Sequence, residues 1–563
     1  MTLPANSKKT PTKKKSQSNQ SVEKKYRLII LEGSSELYRI IALRSFGDVR
    51  EGDIGGVIQN ENNLSHKGNC WIYRDAQVTG EAKVYDDAQI RDEVKIYGKA
   101  KIYGKAKIYG ITKVYGKAQI FGKAEVRGTT QVHGSAKIYG YAEINGNPNI
   151  YDDAKIYGHA QIKGRNKIFG NAQIYENCFI NEDAIIYGNA EIYGNAQISG
   201  KSKVYGNGKV YDTAKVYDDA SVAGSGLVCG NAHVYQNAKI WGGKIKKNAT
   251  VLGNAEIFGK STITGNAKIS GDAIISGYAQ IRDNAQVYGN VKIYEKAKIF
   301  HDVHVKDKVE IWGHAQVYGN SVISGESRIY DYAQVYGYTQ IYGNALIFGK
   351  AVVAERAQIY EFAKVYDIAL ITGNAQVYGN ALVFNNARIR DNAQVYGNSK
   401  IYEKTEIWDE AKVYGDARIF GQSQIFGEAK IYDEVKVYDN AAITEKAEIS
   451  GTAKIYEKAR VFGQARVFGN SAVFGQARVF GNAEIYDTNL FKDAVFGNML
   501  NFNENTAQTL DENTVQTLEE NKVKVLKTDN TDNYRTAYEN NDNLQIPNSE
   551  KRWQNRNNVS MQI

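Results

Sequence analysis

Histidines, cysteines and long series of aromatic residues are the side chains in this 563-residue chain that could do chemistry, and their spacing decides which chemistry is open. A metal site needs several His, Cys or carboxylate groups converging on one point. His133, His159, His233, His301, His304 and His314 instead scatter along a repeating pattern, in outward slots at different points of the repeat. Only His301 and His304, in FHDVHV, come close together; they lie on either side of a chain corner without a third ligand, so no metal is expected. His66, in LSHKGN, reads as a surface residue. Cys70, Cys178 and Cys229 are too few and too dispersed for a disulfide framework or a metal knuckle. Cys70 and Cys178 also fall in a slot that small inward residues otherwise fill, which marks them as buried and inert. No nucleophile elbow, P-loop or dinucleotide fingerprint stands out. Asp and Glu recur as turn formers, and neither a catalytic residue nor a cofactor is expected.

The aromatic residues differ, because their spacing is regular. Tyr139, Tyr157, Tyr175 and Tyr193 belong to an unbroken aromatic series at intervals of 18 residues, from Tyr85 to Tyr211. Tyr366, Phe384, Tyr402 and Phe420 belong to another, from Tyr294 to Phe474. Columns of rings stiffen a fold by stacking, each pair contributing about 0.5–1.5 kcal/mol. They also make an apolar strip suited to lateral self-association, or a face for a repetitive polymer such as a polysaccharide. These eight residues are the candidate binding set.

What places them is a hexad, A-x-[IV]-Y-[GD]-x, as in KIYGKAKIYGKAKIYG (95–110). Steps of six from Ile72 to Ile240, and again from Ile245 to Ile485, meet 70 positions, every one Ile or Val. A period of six walks around a helix. Within a hexad, however, Ala and Ile/Val point inward while their neighbours point outward, as on a strand. The next two residues, typically Gly-Asn, Gly-Lys or Asp-Asp, form a corner. An aromatic interval of 18 then means three hexads per coil. The expected fold is all-β, a three-sided parallel solenoid of about 23 coils, roughly 110 Å long at about 4.8 Å per coil. One spacing of five, across IWGGKI between Ile240 and Ile245, removes a corner residue. Gly242 and Gly243 are expected to absorb it, and beyond it the unbroken ring series moves to a neighbouring face.

Other material flanks the array. Residues 1–25 hold seven Lys and one Glu, so most of the formal charge of +9 sits there and the rod is close to neutral. That segment reads as a disordered basic arm, and nucleic acid is not an expected partner except through it. Residues 26–68, with RLIILEG and ELYRIIAL as strands, form a cap module. Half-rods over 69–242 and 243–490 follow, then residues 491–527, whose three octads (504–527) read as a second cap or an oligomerisation element. Residues 528–563 are an Asn-rich disordered tail. Neither a signal peptide nor an apolar run long enough to span a membrane is read, which makes the cytoplasm the default compartment and a cell-surface or phage association the alternative.

The hexad [IV]-x-G-[ND]-A-x resembles the hexapeptide repeat of left-handed β-helix proteins, the fold of many bacterial acyltransferases and of γ-class carbonic anhydrases. The entry segment YRIIALRSFGDVREGDIGGVIQNENNLSHKGNCWIYRDAQV (38–78) is similar to the N-terminal module of a bacterial and prophage family labelled hexapeptide transferases, in which a short α/β-like cap leads into the helix. The resemblance spans roughly residues 26–490. It implies a left-handed coil, a homotrimer and, if activity follows fold, acyl transfer from acetyl-CoA. The acyltransferases use a His and a loop extruded from the helix, and the anhydrases three His around zinc. Here the array runs 414 residues without an insertion. The expectation is therefore a non-enzymatic structural and interaction rod, with an acyltransferase and a glycan-binding rod as the alternatives.

Overall fold

The computed structural model describes residues 23–34, 36–492 and 494–497. Most of the basic arm, the octads of 504–527 and the Asn-rich tail lie outside these described residues.

A single hexad shows why the chain folds as it does. In Lys95–Ile96 the isoleucine turns into the axis and the lysine faces solvent. Tyr97 follows, Gly98 takes a φ of +70°, and Ala100 points inward before the next strand, Lys101–Ile102. Strands of two residues have no stability alone; each is held between its equivalents one coil above and below. Lys95 and Ile96 pair in parallel with Gln77 and Val78 on one side and with Lys113 and Val114 on the other. Lys95 N donates to Thr112 O at 2.9 Å and Tyr97 N to Val114 O at 3.0 Å.

Three such ladders form the walls. The first face begins at Gln77–Val78, the second at Lys83–Val84 and the third at Trp71–Ile72. The second and third hold 24 strands each, and the first belongs to a 27-stranded sheet that includes three strands of the cap. The protein is thus an all-β parallel solenoid of about 24 coils. Asn489–Leu490 and Val495–Gly497 carry the ladder past the last Ile/Val of the hexads.

Columns of Ile, Val and Ala fill the axis, and residues such as Ile281, Val335 and Ile419 are fully buried. Where a polar residue replaces Ala, it mostly bonds back to its own chain, which satisfies the buried group; the Ser202 and Ser399 hydroxyls are exceptions, buried without a partner. Thr112 Oγ1 donates to Tyr109 O at 3.0 Å and Ser321 Oγ to Tyr318 O at 2.9 Å. Asn166 is larger and needs two partners: its amide donates to Lys163 O, and its carbonyl accepts from Ala184 N, one coil on, at 3.1 Å. Cys70 and Cys178 are buried in this slot, and burial pushes both thiols up, Cys178 to about 12.

Corners require positive φ, which glycine adopts without strain. At Gly128 no other residue fits, because a Cβ would lie 2.2 Å from Gly146 O. Many other corners carry Asp or Glu at positive φ, a conformation that costs a side-chain-bearing residue energy. The carboxylate offsets this by capping the corner N–H of the next coil: Gly104 N donates to Asp86 at 3.0 Å, Gly194 N to Glu176 at 2.8 Å, and Gly451 N to Asp433 at 2.9 Å. Such bonds to a charged acceptor are about twice as strong as neutral ones.

The five-residue step does not break the ladders. Lys244–Ile245 pairs with Leu227–Val228 above and Thr262–Ile263 below. Gly242 takes a φ of +108°, and a Cβ on Gly243 would lie 2.4 Å from Ile257 Cγ2. The missing residue is absorbed by two glycines pulled close to the core.

The cap is an antiparallel meander of β1 (Tyr26–Ile30), β2 (Tyr38–Ala42) and β3 (Ile54–Ile58), and β3 joins Gln77–Val78 in parallel. A 3₁₀ turn at Glu61–Asn63 follows. No α-helix occurs among the described residues, so the α part of the α/β-like cap is not found, and no helix is long and apolar enough to cross a membrane. Tyr26, Ile40, Ile58 and Trp71 belong to the same continuous core as Ile72. Lys25 is also fully buried there, its Nζ donating to Cys70 O at 2.8 Å; burial holds its pKa below the usual lysine range.

Gly243→Val is expected to overpack this corner and to cost about 1–3 kcal/mol. Limited proteolysis should then cut first between residues 239 and 262, whereas Lys244→Val, on an exposed strand position, leaves the pattern unchanged.

Candidate functional site: the aromatic ladders

Each ring that follows an inward Ile or Val lies over its equivalent in the next coil. On the second face, Tyr85, Tyr103, Phe121, Tyr139, Tyr157, Tyr175, Tyr193 and Tyr211 stack with centroids 4.7–5.0 Å apart and planes within 6°. The spacing is that of the strands beneath, and it falls in the offset-stacked range. On the first face a longer column runs from Tyr294 through Trp312 and Tyr330 to Phe474, with Tyr366, Phe384, Tyr402 and Phe420 spaced 4.8–5.0 Å apart. Phe348 and Phe384 in this column are buried.

All eight candidate residues are interior rungs, with a ring on each face. A polymer meeting them finds ring edges and Tyr hydroxyls, not an open ring face on which a sugar could lie.

Two further ladders escaped the sequence reading. Tyr97, Tyr115, His133, Tyr151, Phe169, Tyr187 and Tyr205 stack on the first face, with His133 at 4.7 Å from Tyr115 and 5.0 Å from Tyr151. An imidazole is flat and continues the stack, but it breaks a search for Phe, Tyr and Trp. Tyr342, Tyr360, Tyr378, Tyr396, Tyr414 and Tyr432 stack on the third face at 4.7–5.0 Å. The 18-residue interval was present there too, in a shorter run. Shorter stacks on the second face are covered at one end by cations: Arg282 lies 5.1 Å from Phe300, which leads the run Phe300, Tyr318 and Tyr336, and Arg390 lies 5.3 Å from Trp408, which stacks on Phe426.

The other histidines take structural places. His159 stacks on Tyr141 and His314 on Tyr332, both along corners. His301 occupies a corner at φ +64° with its N–H bonded to Asp283, and His304 lies in a third-face strand. Burial, aided by Lys215, lowers the His233 pKa. Among the described residues, no three His, Cys, Asp or Glu side chains are grouped to hold a metal ion.

Corner amides form ladders of their own. Asn248 donates to Asn266, Asn266 to Asn284 and Asn284 to Asp302, at 3.1, 2.9 and 2.9 Å. At the corner between the first and second faces a groove of about 1150 Å³ runs from Asp367 to Lys492, beside the column of Tyr366 and Phe420. Asn386, Lys404, Gln422 and Asn440 line it, while Asp367, Glu403 and Asp439 are engaged with corner N–H groups.

A family model described as the YdcK β-solenoid repeat matches residues 340–355 and 375–391. Both stretches lie in the array, each with a rung of the third-face ladder (Tyr342, Tyr378) and of the long first-face column (Phe348, Phe384). With the coil stacking, this makes the chain a β-helix repeat protein. No curated protein matches it.

Burial, with neighbouring tyrosines and carboxylates, pushes several of the ladder phenols up. Burial first, then the neighbouring Tyr157 and Tyr193, raises Tyr175 to about 12; Tyr414 and Tyr456 are raised to about 12 as well. A phenol whose pKa rises on folding adds stability that is complete below its unfolded value, near pH 10, and is lost as pH climbs through the folded value. Between pH 10 and about 12, the tyrosinate absorbance should lag behind that of free tyrosine and appear together with loss of the β signal in circular dichroism. Ionisation of every tyrosine near pH 10 with the fold intact would contradict this.

Tyr378→Ser removes two ring contacts, to Tyr360 and Tyr396, each 4.7 Å away. It should destabilise by about 1–3 kcal/mol. Tyr338→Ser, on an exposed corner, should change stability by less than about 0.5 kcal/mol, both read by denaturant unfolding.

Proposed function

We propose that this protein is a structural rod whose faces present ring and amide columns for lateral association. The observation that carries this reading is the ladder system: coil upon coil, side chains stack on their own equivalents, and interior rings have no face left for a ligand. Such an arrangement favours stiffness and repetitive side-on contact over a single pocket. Further copies of the chain are the natural lateral partners, because every column repeats at the interval of its neighbour's.

The rival is a hexapeptide-type transferase of the bacterial and prophage kind, working with acetyl-CoA. The resemblance of the hexad and of the entry segment to that family favours it. Against it stand the histidines of the array, which serve as ladder rungs, corner residues or strand residues, His66 of the cap, which is held against Tyr26 and Glu61, and an array that carries no extruded loop from Ile72 to Ile485.

Small-angle scattering and light scattering of the purified chain, with an acetyl-CoA turnover assay alongside, test the reading. The expected result is a stiff particle roughly 110 Å long, whose mass and cross-section grow with concentration while its length does not, and no turnover. Turnover that disappears when a histidine is replaced would overturn it in favour of the transferase.

A further inference from the structure

From Val94 to Ala124 the chain makes almost two coils and carries eight lysines with no Asp, Glu or Arg. All eight are exposed. Elsewhere the array repeatedly sets opposite charges on adjacent coils: Lys209 with Glu191 at 2.8 Å, Lys239 with Glu256 at 2.9 Å, Lys308 with Glu326 at 3.0 Å. In this band the ion pairs are confined to its margins, Lys99 with Glu81 and Lys107 with Glu125, both at 3.5 Å. Lysine stands on lysine instead. Lys113 pairs with Lys95 on the first face and Lys101 with Lys83 on the second. Lys99 and Lys117 follow one another along the corner between those faces, with Lys99 N bonded to Gly116 O at 2.7 Å. Among the described residues Lys95, Lys101, Lys113 and Lys117 have no carboxylate within ion-pair distance. Like charges directly opposite on neighbouring strands destabilise a sheet. The same column accepts Gln77 and Gln131 in register, so the fold itself does not call for lysine here.

We infer that this edge binds a linear anionic polysaccharide, a polymer whose carboxylates recur along its length. The lysines offer a strip of cations that recur at about 4.8 Å along the rod axis. Two features favour a carboxylated glycan over a nucleic acid. The cations are all lysine, point charges without the planar fork that suits phosphate. Of the adjoining rings, Tyr103, Tyr115 and Phe121 each carry a ring on both sides and only the end rung Tyr97 has an open side, so the band offers no run of open faces on which successive bases could stack. A flat membrane is disfavoured because the band continues round the prism, through Lys105 and Lys123 on the next corner to Lys107 on the third face.

The test is binding of the full chain to immobilised polygalacturonate, with neutral dextran, oligo-dT and phosphatidylserine vesicles as comparators. Retention on polygalacturonate is expected, weakening as salt rises. Replacing Lys95, Lys99, Lys113 and Lys117 by Gln should reduce affinity about tenfold or more, since each removes one screened charge contact. Replacing the same four by Arg keeps binding, and Gln at Lys412, Lys430, Lys436 and Lys454 leaves it unchanged. Unaltered circular dichroism separates lost binding from lost fold. No retention at low salt, equal retention of the four-Gln variant, or tighter binding to oligo-dT or to the vesicles would each overturn the inference.

Discussion

Every residue in this array has as its nearest neighbour the residue that occupies its own position in the next coil. Parallel pairing at one interval imposes that rule, and it decides which side chains form columns. Isoleucine packs on isoleucine, tyrosine stacks on tyrosine, and asparagine donates to asparagine while accepting from the coil before. Carboxylates repel one another, so a corner Asp or Glu is mostly followed by Gly, whose N–H it caps, as Gly104 follows Asp86, with Asp409 on Asp391 and Glu457 on Asp439 as exceptions. The composition, rich in Tyr and Gly, follows from this rule of self-compatibility.

Shape was the legible part. Inward Ile/Val at every sixth position and rings at every eighteenth specify a three-walled coil without reference to any other contact. The deletion at Gly242-Gly243 could be located and its repair anticipated, because only glycine allows so tight a turn beside Ile257. The columns were less legible, for physical reasons. His133 acts as an aromatic rung although its chemistry suggested a ligand. The third-face ladder is short enough to be lost among other tyrosines. The duty of corner carboxylates depends on reaching a backbone N–H in another coil, which no local pattern announces. Whether a column binds anything was not readable either: the same spacing that revealed the rings also covers their faces.

Stability in such a molecule is shared along one dimension. Each coil touches only the coils beside it, so local openings cost what a few strands and rungs are worth and not what the whole rod is worth. Long uninterrupted ladders, such as Tyr342 to Tyr432, tie several coils into a more cooperative block. The places where rings give way to small residues, such as Ser276 or Thr444, and the corner at Gly243 are the softer joints between such blocks. The cap and the buried Lys25 address the other weak point, the open end of the sheets, by continuing the first face into an antiparallel meander.

The two glycines at the shortened corner also carry a lesson about how such a chain changes length. A gain or loss of one whole turn leaves the turns on either side matched as before, so growth by duplication is nearly free of structural consequence. A gain or loss of any other size leaves a mismatch that must be mended where it occurs. The rod is built to be lengthened or trimmed in units of one turn, and Gly242 and Gly243 mark the spot where a change of another size was accommodated.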